Sequence, residues 1–93
     1  MPTAYHAAAD VLAAPLAREC ILLHVPRKRY FRLNGTGAAV WEAVAAGATR
    51  DEIVDRLCAR YPVAPATVAD GTDALLARLL ADGLVTRSGD DTA

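Results

Sequence analysis

The chain has 93 residues, which is enough for one domain with a modest core of its own. Its net charge is −1 and its pI is near 6.0, which argues against a surface that neutralises nucleic-acid phosphates over the whole molecule. Hydrophobic residues make up 54%, but many of them are alanines and aromatic residues reach only 5%, so large core side chains are few.

The cysteines and the N-terminus indicate a reduced protein without a metal. Cys20 and Cys58 lie far apart, and only His6 and His24 accompany them, whereas a structural zinc site needs four ligands at close spacings. Residues 1–11 show no charged segment followed by an apolar run, and no segment approaches the ~20 apolar residues of a membrane span. We therefore expect a cytoplasmic protein with no cofactor and no membrane partner, whose cysteines are ordinary buried or half-buried residues.

The N-terminal third of the chain predicts strands. Residues 1–9 carry little pattern and are predicted to be a flexible end, followed by a short strand at residues 10–13 that Pro15 closes. Residues 20–25, CILLHV, are rich in β-branched and aliphatic side chains, which is typical of a strand. Pro26 then presets φ for a turn.

The next strand, predicted at residues 29–33, is the most informative part of the sequence. Residues 27–32 hold four of the ten basic side chains and two of the four Tyr and Phe residues. The strand alternates between two faces, with Arg29, Phe31 and Leu33 on one and Tyr30 and Arg32 on the other. A solvated basic turn would explain the charges alone, but cationic and aromatic groups along one strand are also typical of a binding surface.

Two helices are predicted after this strand. Asn34 is a good N-cap for the first, which is expected to run to about residue 46 and to end at Gly47. Thr49 and Glu52 have the spacing of a capping box, so the second helix is expected to begin at Arg50 and to end before a proline at position 62.

A third helix is predicted from residue 65 to residue 82, with Gly83 as its left-handed terminator. Its apolar sector is broader than one packing contact needs. At 100° per residue, the sector has a central stripe and a flank, formed respectively by Val68, Thr72, Leu75 and Leu79, and by Ala69, Leu76 and Leu80 with Asp73 at the rim. Either the sheet and a neighbouring helix cover the whole sector, or the Leu76 and Leu80 flank lines an open groove.

These elements predict an α+β domain over residues 10–86, with a three-stranded antiparallel N-terminal sheet followed by three helices, similar in content to a winged-helix-turn-helix domain. Residues 87–93 are polar and predicted to be a disordered tail. A small sheet leaves an edge strand exposed, and residues 29–33 are the candidate edge. A peptide added there as an extra strand would gain main-chain hydrogen bonds, and the same edge would also allow a homodimer.

No motif predicts catalysis. Residues 34–37, NGTG, lack the rest of a phosphate-binding loop, and His24 has no nucleophile or base partner at a recognisable spacing. We therefore predict a protein with no catalytic residue, rather than a small enzyme. The alternative is a winged-helix DNA-binding regulator, but the third helix offers only Arg78 among three aspartates, which argues against nucleic acid as the partner.

Three short motifs resemble the PqqD-like family, the leader-recognition domains of pathways that make ribosomally synthesised, post-translationally modified peptides. They are LN-x-TG-A-x-x-W at residues 33–41, T-x-x-E-I at residues 49–53 and L-x-x-GL at residues 80–84. The chain looks most like the stand-alone version found in lasso-peptide clusters. Gly35 stands where a proline is common in the family. Thr72 stands where an aliphatic residue is usual, and the threonine would narrow or polarise a groove.

The resemblance implies a function as an adaptor. In this family the precursor's leader peptide docks as an added antiparallel strand against the third strand, in a groove shared with the third helix. By that match the peptide-binding residues are Lys28, Arg29, Tyr30, Phe31 and Arg32 on the strand side and Ala69, Asp73, Leu76 and Leu80 on the helix side. Arg29 and Arg32 would meet carboxylates and Asp73 a cation. A leader-cleaving cysteine protease, or another maturation enzyme, would be the second partner.

Overall fold

A computed structural model describes residues 3–17 and 19–88 of the chain. Its elements, in chain order, are β1 (Tyr5–Ala7), β2 (Val11–Leu16), β3 (Glu19–His24), β4 (Arg29–Asn34), α1 (Thr36–Ala45), α2 (Arg50–Arg60), α3 (Pro65–Ala81) and β5 (Val85–Arg87). The predicted α+β class, with a three-stranded antiparallel sheet before three helices, is confirmed. The structure adds a separate two-stranded sheet of β1 and β5.

The three-stranded sheet has β3 at its centre, between β2 and β4, and both pairings are antiparallel. One face carries Cys20, Leu22 and His24, which are all buried. Phe31 lies opposite Leu22 on that face and is half-buried against the core. This alternation confirms the predicted inward direction of Phe31, and it leaves the odd-numbered residues of β3 on the outer face.

The predicted flexible N-terminus is wrong for Tyr5–Ala7, which pair with β5 in antiparallel register. The Tyr5 N–H donates to the Ala48 carbonyl at 2.8 Å, and the Ser88 N–H donates to the Ala4 carbonyl at 2.9 Å. The segments containing β1 and β5 are therefore joined by backbone hydrogen bonds, which no local pattern in a three-residue strand could reveal. The predicted disordered tail is wrong for Arg87 and Ser88, because Arg87 belongs to β5 and Ser88 is hydrogen-bonded to Ala4. Residues 89–93 of that tail lie outside the described residues, and the domain bounds of 10–86 stay a prediction.

The first long strand is longer than predicted. Pro15 lies inside β2 and pairs with Cys20, rather than closing the strand. An edge strand tolerates proline where the missing N–H faces away from the ladder. Proline was predicted to end the strand, because the sequence does not show that this strand lies at the edge of the sheet, where proline is tolerated.

Three predicted helix boundaries can be compared with the structure: the start of α2, the end of α3 and the N-cap of α1. The first two predictions are confirmed and the third is wrong. The capping box of Thr49 and Glu52 is present, and α3 ends at a left-handed Gly83, with φ of 75°. The Asn34 cap is wrong, because Asn34 is the last residue of β4 and Gly35 occupies the N-cap position of α1. Gly35 has φ of 52°, a left-handed value that glycine adopts without the usual steric cost.

The core lies between the inner sheet face and the helices. Its buried apolar side chains are Cys20, Leu22, Val40, Trp41, Ala43, Val44, Ala48, Ile53, Leu57, Leu76, Leu79, Leu84 and Val85. Each of the three helices and the central strand contributes to it, so the core holds the sheet and the helices in one fixed relation. Among the described residues, no helix combines the length and the apolar character needed to cross a membrane.

Candidate functional site

The outer edge of β4 carries unused backbone hydrogen-bonding groups. Within residues 3–17 and 19–88, no strand pairs with that edge, and the N-terminal β1 pairs with β5 instead. The Val25 N–H donates to the Asp10 carbonyl at 3.0 Å, so the backbone N–H and C=O of Val25 face β2. These groups alternate in direction along a strand, and the backbone groups of the preceding residue, His24, therefore face β4. His24 is opposite Arg29, and alternation along β4 therefore directs the N–H and C=O of Tyr30 and Arg32 outward.

The other edge of the sheet, formed by β2, is less suited to receive a strand. The same hydrogen bond shows that the backbone carbonyl of Asp10 faces β3. By alternation, the backbone N–H and C=O groups at the odd-numbered positions of β2 point away from β3, toward the open edge. Pro15 occupies one of these positions, and it offers no N–H to a neighbouring strand. Proline at such a position is a known protection of an edge against pairing. Of the two edges, β4 is therefore the one with a continuous set of donors and acceptors.

The side chains of β4 form an aromatic and basic strip beside this edge. Tyr30 is 74% exposed on the outer face of the sheet. Phe31 and Leu33 are half-buried on the inner face, packed against the core. The Arg29 guanidinium lies 5.2 Å from the centre of the Phe31 ring, within the range of a cation–π contact. These predicted strand-side residues are thus gathered at one place.

Helix α3 approaches β4 through the first turn of α1. A Cβ atom placed on Gly37 would lie 3.6 Å from Leu33 Cβ and 3.8 Å from Leu75 Cδ2. Leu33 and Leu75 thus lie on either side of Gly37, which has no side chain to fill the space between them. Leu75 is half-buried, as is Val68 two turns earlier on the same side of the helix. Both residues belong to the predicted packing stripe of α3, and neither is among the residues predicted to line the groove.

The opposite flank of α3 faces α2. The Arg50 Nε and Nη2 atoms donate to the two carboxylate oxygens of Asp73, each at 2.9 Å. The hydrogen bond from Arg50 lowers the pKa of Asp73 below its ordinary value. Ala69 and Leu80 lie on this flank by helical rotation and are half-buried. The structure thus places the predicted helix-side residues toward α2, and it brings Leu75 rather than Asp73 next to β4.

Three predicted roles change with these contacts. Leu76 is only 2% exposed and belongs to the core, so it does not line a surface. Asp73, expected to meet a peptide cation, already has Arg50 as its partner. Arg32, expected to meet a peptide carboxylate, already donates a hydrogen bond to Glu19 on β3, which lowers the pKa of that carboxyl. The sequence could not show these internal partners, because they come from other elements.

Thr72 does not alter the surface of the groove. It is 2% exposed, and its Oγ1 atom is buried without a hydrogen-bond partner among the described residues. The side chain therefore occupies a core position where an aliphatic residue would fit without loss of a hydrogen bond. The expected narrowing of the groove by Thr72 is not seen, since Thr72 points into the core.

A separate cleft of about 830 Å³ lies on the other side of α1, between that helix and the ends of β2 and β3. Its walls include Pro15, Cys20 and Trp41. Glu42 and Arg60 also line it, and they form an ion pair in which Arg60 Nη1 lies 3.3 Å from Glu42 Oε2. Burial raises the pKa of the Cys20 thiol, which disfavours a reactive thiolate. Cys20 and Cys58 are free thiols, and Cys20 is buried whereas Cys58 is half-buried.

Comparison with known proteins supports the sequence resemblance. The structure is similar to that of TbiB1 in complex with the TbiA(beta) leader peptide, with a TM-score of 0.82, 30% identity, and coverage of 95% of this chain and 98% of that chain. It also shares its fold with lasso peptide synthetase B1 complexed with the leader peptide, with a TM-score of 0.79, 20% identity, and coverage of 88% and 96%. Among curated proteins, none matches the chain.

The family model described as Coenzyme PQQ synthesis protein D (PqqD) matches residues 19–85. That span begins with β3 and ends with the first residue of β5, so it contains the β4 edge and all three helices. More than half of the chain is matched, and the motifs quoted above lie inside the matched range. The chain belongs to the PqqD family.

Proposed function

We propose that this protein is a non-catalytic adaptor that binds the leader segment of a ribosomally synthesised precursor peptide, of the lasso-peptide type. The leader would add to the sheet as an antiparallel strand along β4, in the groove between β4 and α3. The observation that carries the proposal is the outer edge of β4, with which no strand of the described part of the chain pairs, beside the half-buried Leu33 and Leu75. The similar TbiB1 structure, which is a complex with a leader peptide, supports it.

The proposed binding mode follows from the backbone of β4. The N–H and C=O groups of Tyr30 and Arg32 would form the ladder with the guest strand, and these bonds are independent of the guest sequence. Specificity would come from guest side chains on the inner face, which would contact Phe31, Leu33 and Leu75. These three side chains are half-buried now, so a guest strand would remove their remaining apolar surface from water.

The strand-side assignment of residues 28–32 is kept in this proposal, whereas the helix side is revised. Val68 and Leu75 lie on the flank of α3 that approaches β4, and Ala69, Asp73 and Leu80 lie on the flank that faces α2. The two flanks make different predictions for single substitutions, so one experiment can distinguish them.

The experiment is a fluorescence-polarisation titration with a labelled leader peptide of the cognate precursor, whose gene is sought next to the gene that encodes this protein. Leu75→Ala and Phe31→Ala are expected to weaken binding by about tenfold or more, because each removes a large apolar contact with the guest. Leu80→Ala is the matched control, since it makes the same change on the other flank. Loss of binding in Leu80→Ala alone would restore the original helix-side assignment.

Unchanged affinity in both Leu75→Ala and Phe31→Ala would count against the groove as the binding site. Far-UV circular dichroism of each variant separates loss of binding from loss of fold. Leu76→Glu is unsuitable for this purpose, because a charge at a core position would unfold the protein whatever the function.

We further propose that the bound leader is presented to a maturation enzyme, such as a leader-cleaving cysteine protease, in the cytoplasm. Holding the substrate beside the enzyme raises its effective concentration without any catalytic group in the adaptor. The outer face of the sheet supports a second partner, since Leu12 and Leu16 are 61% and 53% exposed there. The outer face of an antiparallel sheet is ordinarily polar, so this apolar surface is suited to contact another protein.

Leu12→Lys and Leu16→Lys test this second contact. Both are expected to slow leader cleavage by the partner protease, while leader affinity in the polarisation titration stays unchanged. Size-exclusion chromatography with light scattering tests the competing occupant, a second copy of this chain. A dimer that dissociates in Leu12→Lys would assign the apolar face to a homodimer instead of a protease.

A further inference from the structure

Charge is distributed unevenly along the groove. At the end of β4 that precedes α1, Arg32 is neutralised by Glu19. On the helix side, Asp73 is neutralised by Arg50. Two of the three charges predicted to meet a peptide, those of Arg32 and Asp73, are therefore satisfied within the protein, and a guest would have to break an existing ion pair to use them.

The opposite end of β4 retains its positive charge. Arg27, Lys28 and Arg29 are exposed in and beside the β3–β4 turn, and among the described residues no carboxylate lies within ion-pair distance of any of them. Arg29 is held over the Phe31 ring, at the edge of the strand.

The turn that carries these charges has a defined shape. The Arg27 N–H donates to Nδ1 of the buried His24 at 3.4 Å, and the Lys28 N–H donates to the Val25 carbonyl at 3.2 Å. Lys28 has a left-handed φ of 55°. The basic groups are thus presented from an ordered turn rather than from a loose loop, which reduces the entropy lost when a partner binds them.

We infer that the peptide bound along β4 carries acidic side chains at the C-terminal end of its bound segment. This inference rests on the proposed function and specifies the substrate of that site. An antiparallel guest begins opposite Asn34 and ends opposite Arg29. Its C-terminal residues therefore reach the unneutralised cluster of Arg27, Lys28 and Arg29, and the residues at its N-terminal end meet a neutral surface.

Complementary charge at this end would set the direction of the guest as well as its affinity. A strand can add to an edge in either direction at similar cost per hydrogen bond. A parallel guest with the same acidic end would place its negative charge beside Glu19 and Arg32, where the positive charge is already used. The basic turn thus favours the antiparallel direction for a peptide with acidic residues after its apolar anchors.

The experiment is a selection from a surface-displayed library of random 20-residue peptides, using the full chain as bait. Binders are expected to share apolar anchors followed, toward the C-terminus, by an excess of Asp and Glu. Charge reversal in an Arg27→Glu, Lys28→Glu double variant is expected to weaken those binders by about tenfold, and a repeated selection is expected to enrich Lys and Arg at the same positions. The matched control is Arg56→Glu, Arg78→Glu, which changes two exposed arginines on α2 and α3 and should leave the acidic preference intact.

The outcomes separate this inference from the proposed function. Binders that depend on Leu75 but show no acidic excess, or show it before the anchors, would overturn the inference and leave the adaptor proposal standing. A selection that yields no binder sensitive to Leu75→Ala would overturn both. Displacement of bound peptide by a 24-base-pair mixed-sequence DNA duplex at 150 mM salt, lost in the Arg27→Glu, Lys28→Glu variant, would assign the basic turn to nucleic acid instead.

Discussion

Arg50 holds Asp73 through two parallel hydrogen bonds of 2.9 Å, which join the first residue of α2 to the middle of α3. This geometry matches the planar fork of a guanidinium to both oxygens of a carboxylate. The pair orients α3, because it commits one flank of that helix to α2. The other flank, with Leu75, is consequently the one that lies beside Leu33 and the edge of β4.

The first prediction concerns acid stability. The Arg50 guanidinium lowers the pKa of Asp73 below its ordinary value of 3.8. A carboxyl whose pKa is lower in the folded state stabilises the fold at pH values above its ordinary pKa, and this stabilisation is lost as the pH falls through the folded pKa. Asp73→Asn is therefore expected to lower the urea midpoint at pH 7 and to have progressively less effect below about pH 4.

Asp70→Asn is the control for this measurement, since Asp70 is an exposed aspartate on the same helix that makes no ion pair with the described residues. A difference between wild type and Asp73→Asn that persists unchanged at pH 2.5 would show that the ion pair is not its cause. High salt is expected to reduce the effect of Asp73→Asn at pH 7, because both groups are partly exposed.

The second prediction concerns the hydroxyl of Thr72. Its Oγ1 atom is buried and has no hydrogen-bond partner among residues 3–17 and 19–88, and a buried polar group without a hydrogen bond is destabilising. Thr72→Val replaces the hydroxyl by a methyl group of similar size and is expected to raise the free energy of unfolding by about 1 kcal/mol. Thr67→Val, at an exposed position of α3, is the control and should change little, because Thr and Val have similar helix propensities.

The third prediction compares two glycines. Gly71 lies inside α3 with nothing within 4 Å of an added Cβ, so Gly71→Ala is expected to stabilise the protein by about 0.5–1 kcal/mol through helix propensity. Gly83 has a left-handed φ of 75°, and its added Cβ would lie 3.6 Å from His24 Nε2. Gly83→Ala is expected to destabilise by about 1–2 kcal/mol. Equal effects of the two changes in urea unfolding would contradict the assigned end of α3.

The fourth prediction tests the capping box of α2. The Glu52 N–H donates to Thr49 Oγ1 at 3.2 Å, and the Thr49 N–H donates to Glu52 Oε1 at 2.8 Å. Thr49→Ala is expected to cost about 1 kcal/mol of stability. Thr67→Ala, which removes a hydroxyl in the first turn of α3, serves as the comparison. Thermal unfolding followed at 222 nm measures both, and a larger loss for Thr67→Ala would argue against the cap.

The capping box and the end of α3 were predictable because each depends on residues a few positions apart. Thr49 and Glu52 satisfy each other within one turn, and Gly83 supplies a backbone conformation that few other residues adopt. The N-cap of α1 was mispredicted because its position does not depend on local sequence alone. Asn34 has the preferred side chain, but the strand continues through it and the chain turns at Gly35, so tertiary pairing overrode a local preference.

The partners of the charged side chains were not predictable, because each ion pair joins elements that only the fold brings together. Arg32 and Asp73 were predicted to form ion pairs with a bound peptide, whereas they form ion pairs with Glu19 and Arg50 of the protein itself. The apolar flank was misplaced for the same reason. Helical periodicity shows which residues of α3 share a side, but it cannot show whether that side faces α2 or the edge of a sheet.

The order of residues by itself determined the class of the fold, the approximate extent of its three helices and the family, because these depend on short-range patterns that survive without coordinates. Only the folded chain decided which of two sheet edges is open, which side of α3 borders it and which charges remain free. Those properties arise from contacts between segments 13 or more positions apart, such as Glu19 with Arg32 and Arg50 with Asp73. Local patterns constrain each segment separately, and they carry no information on where the next segment packs.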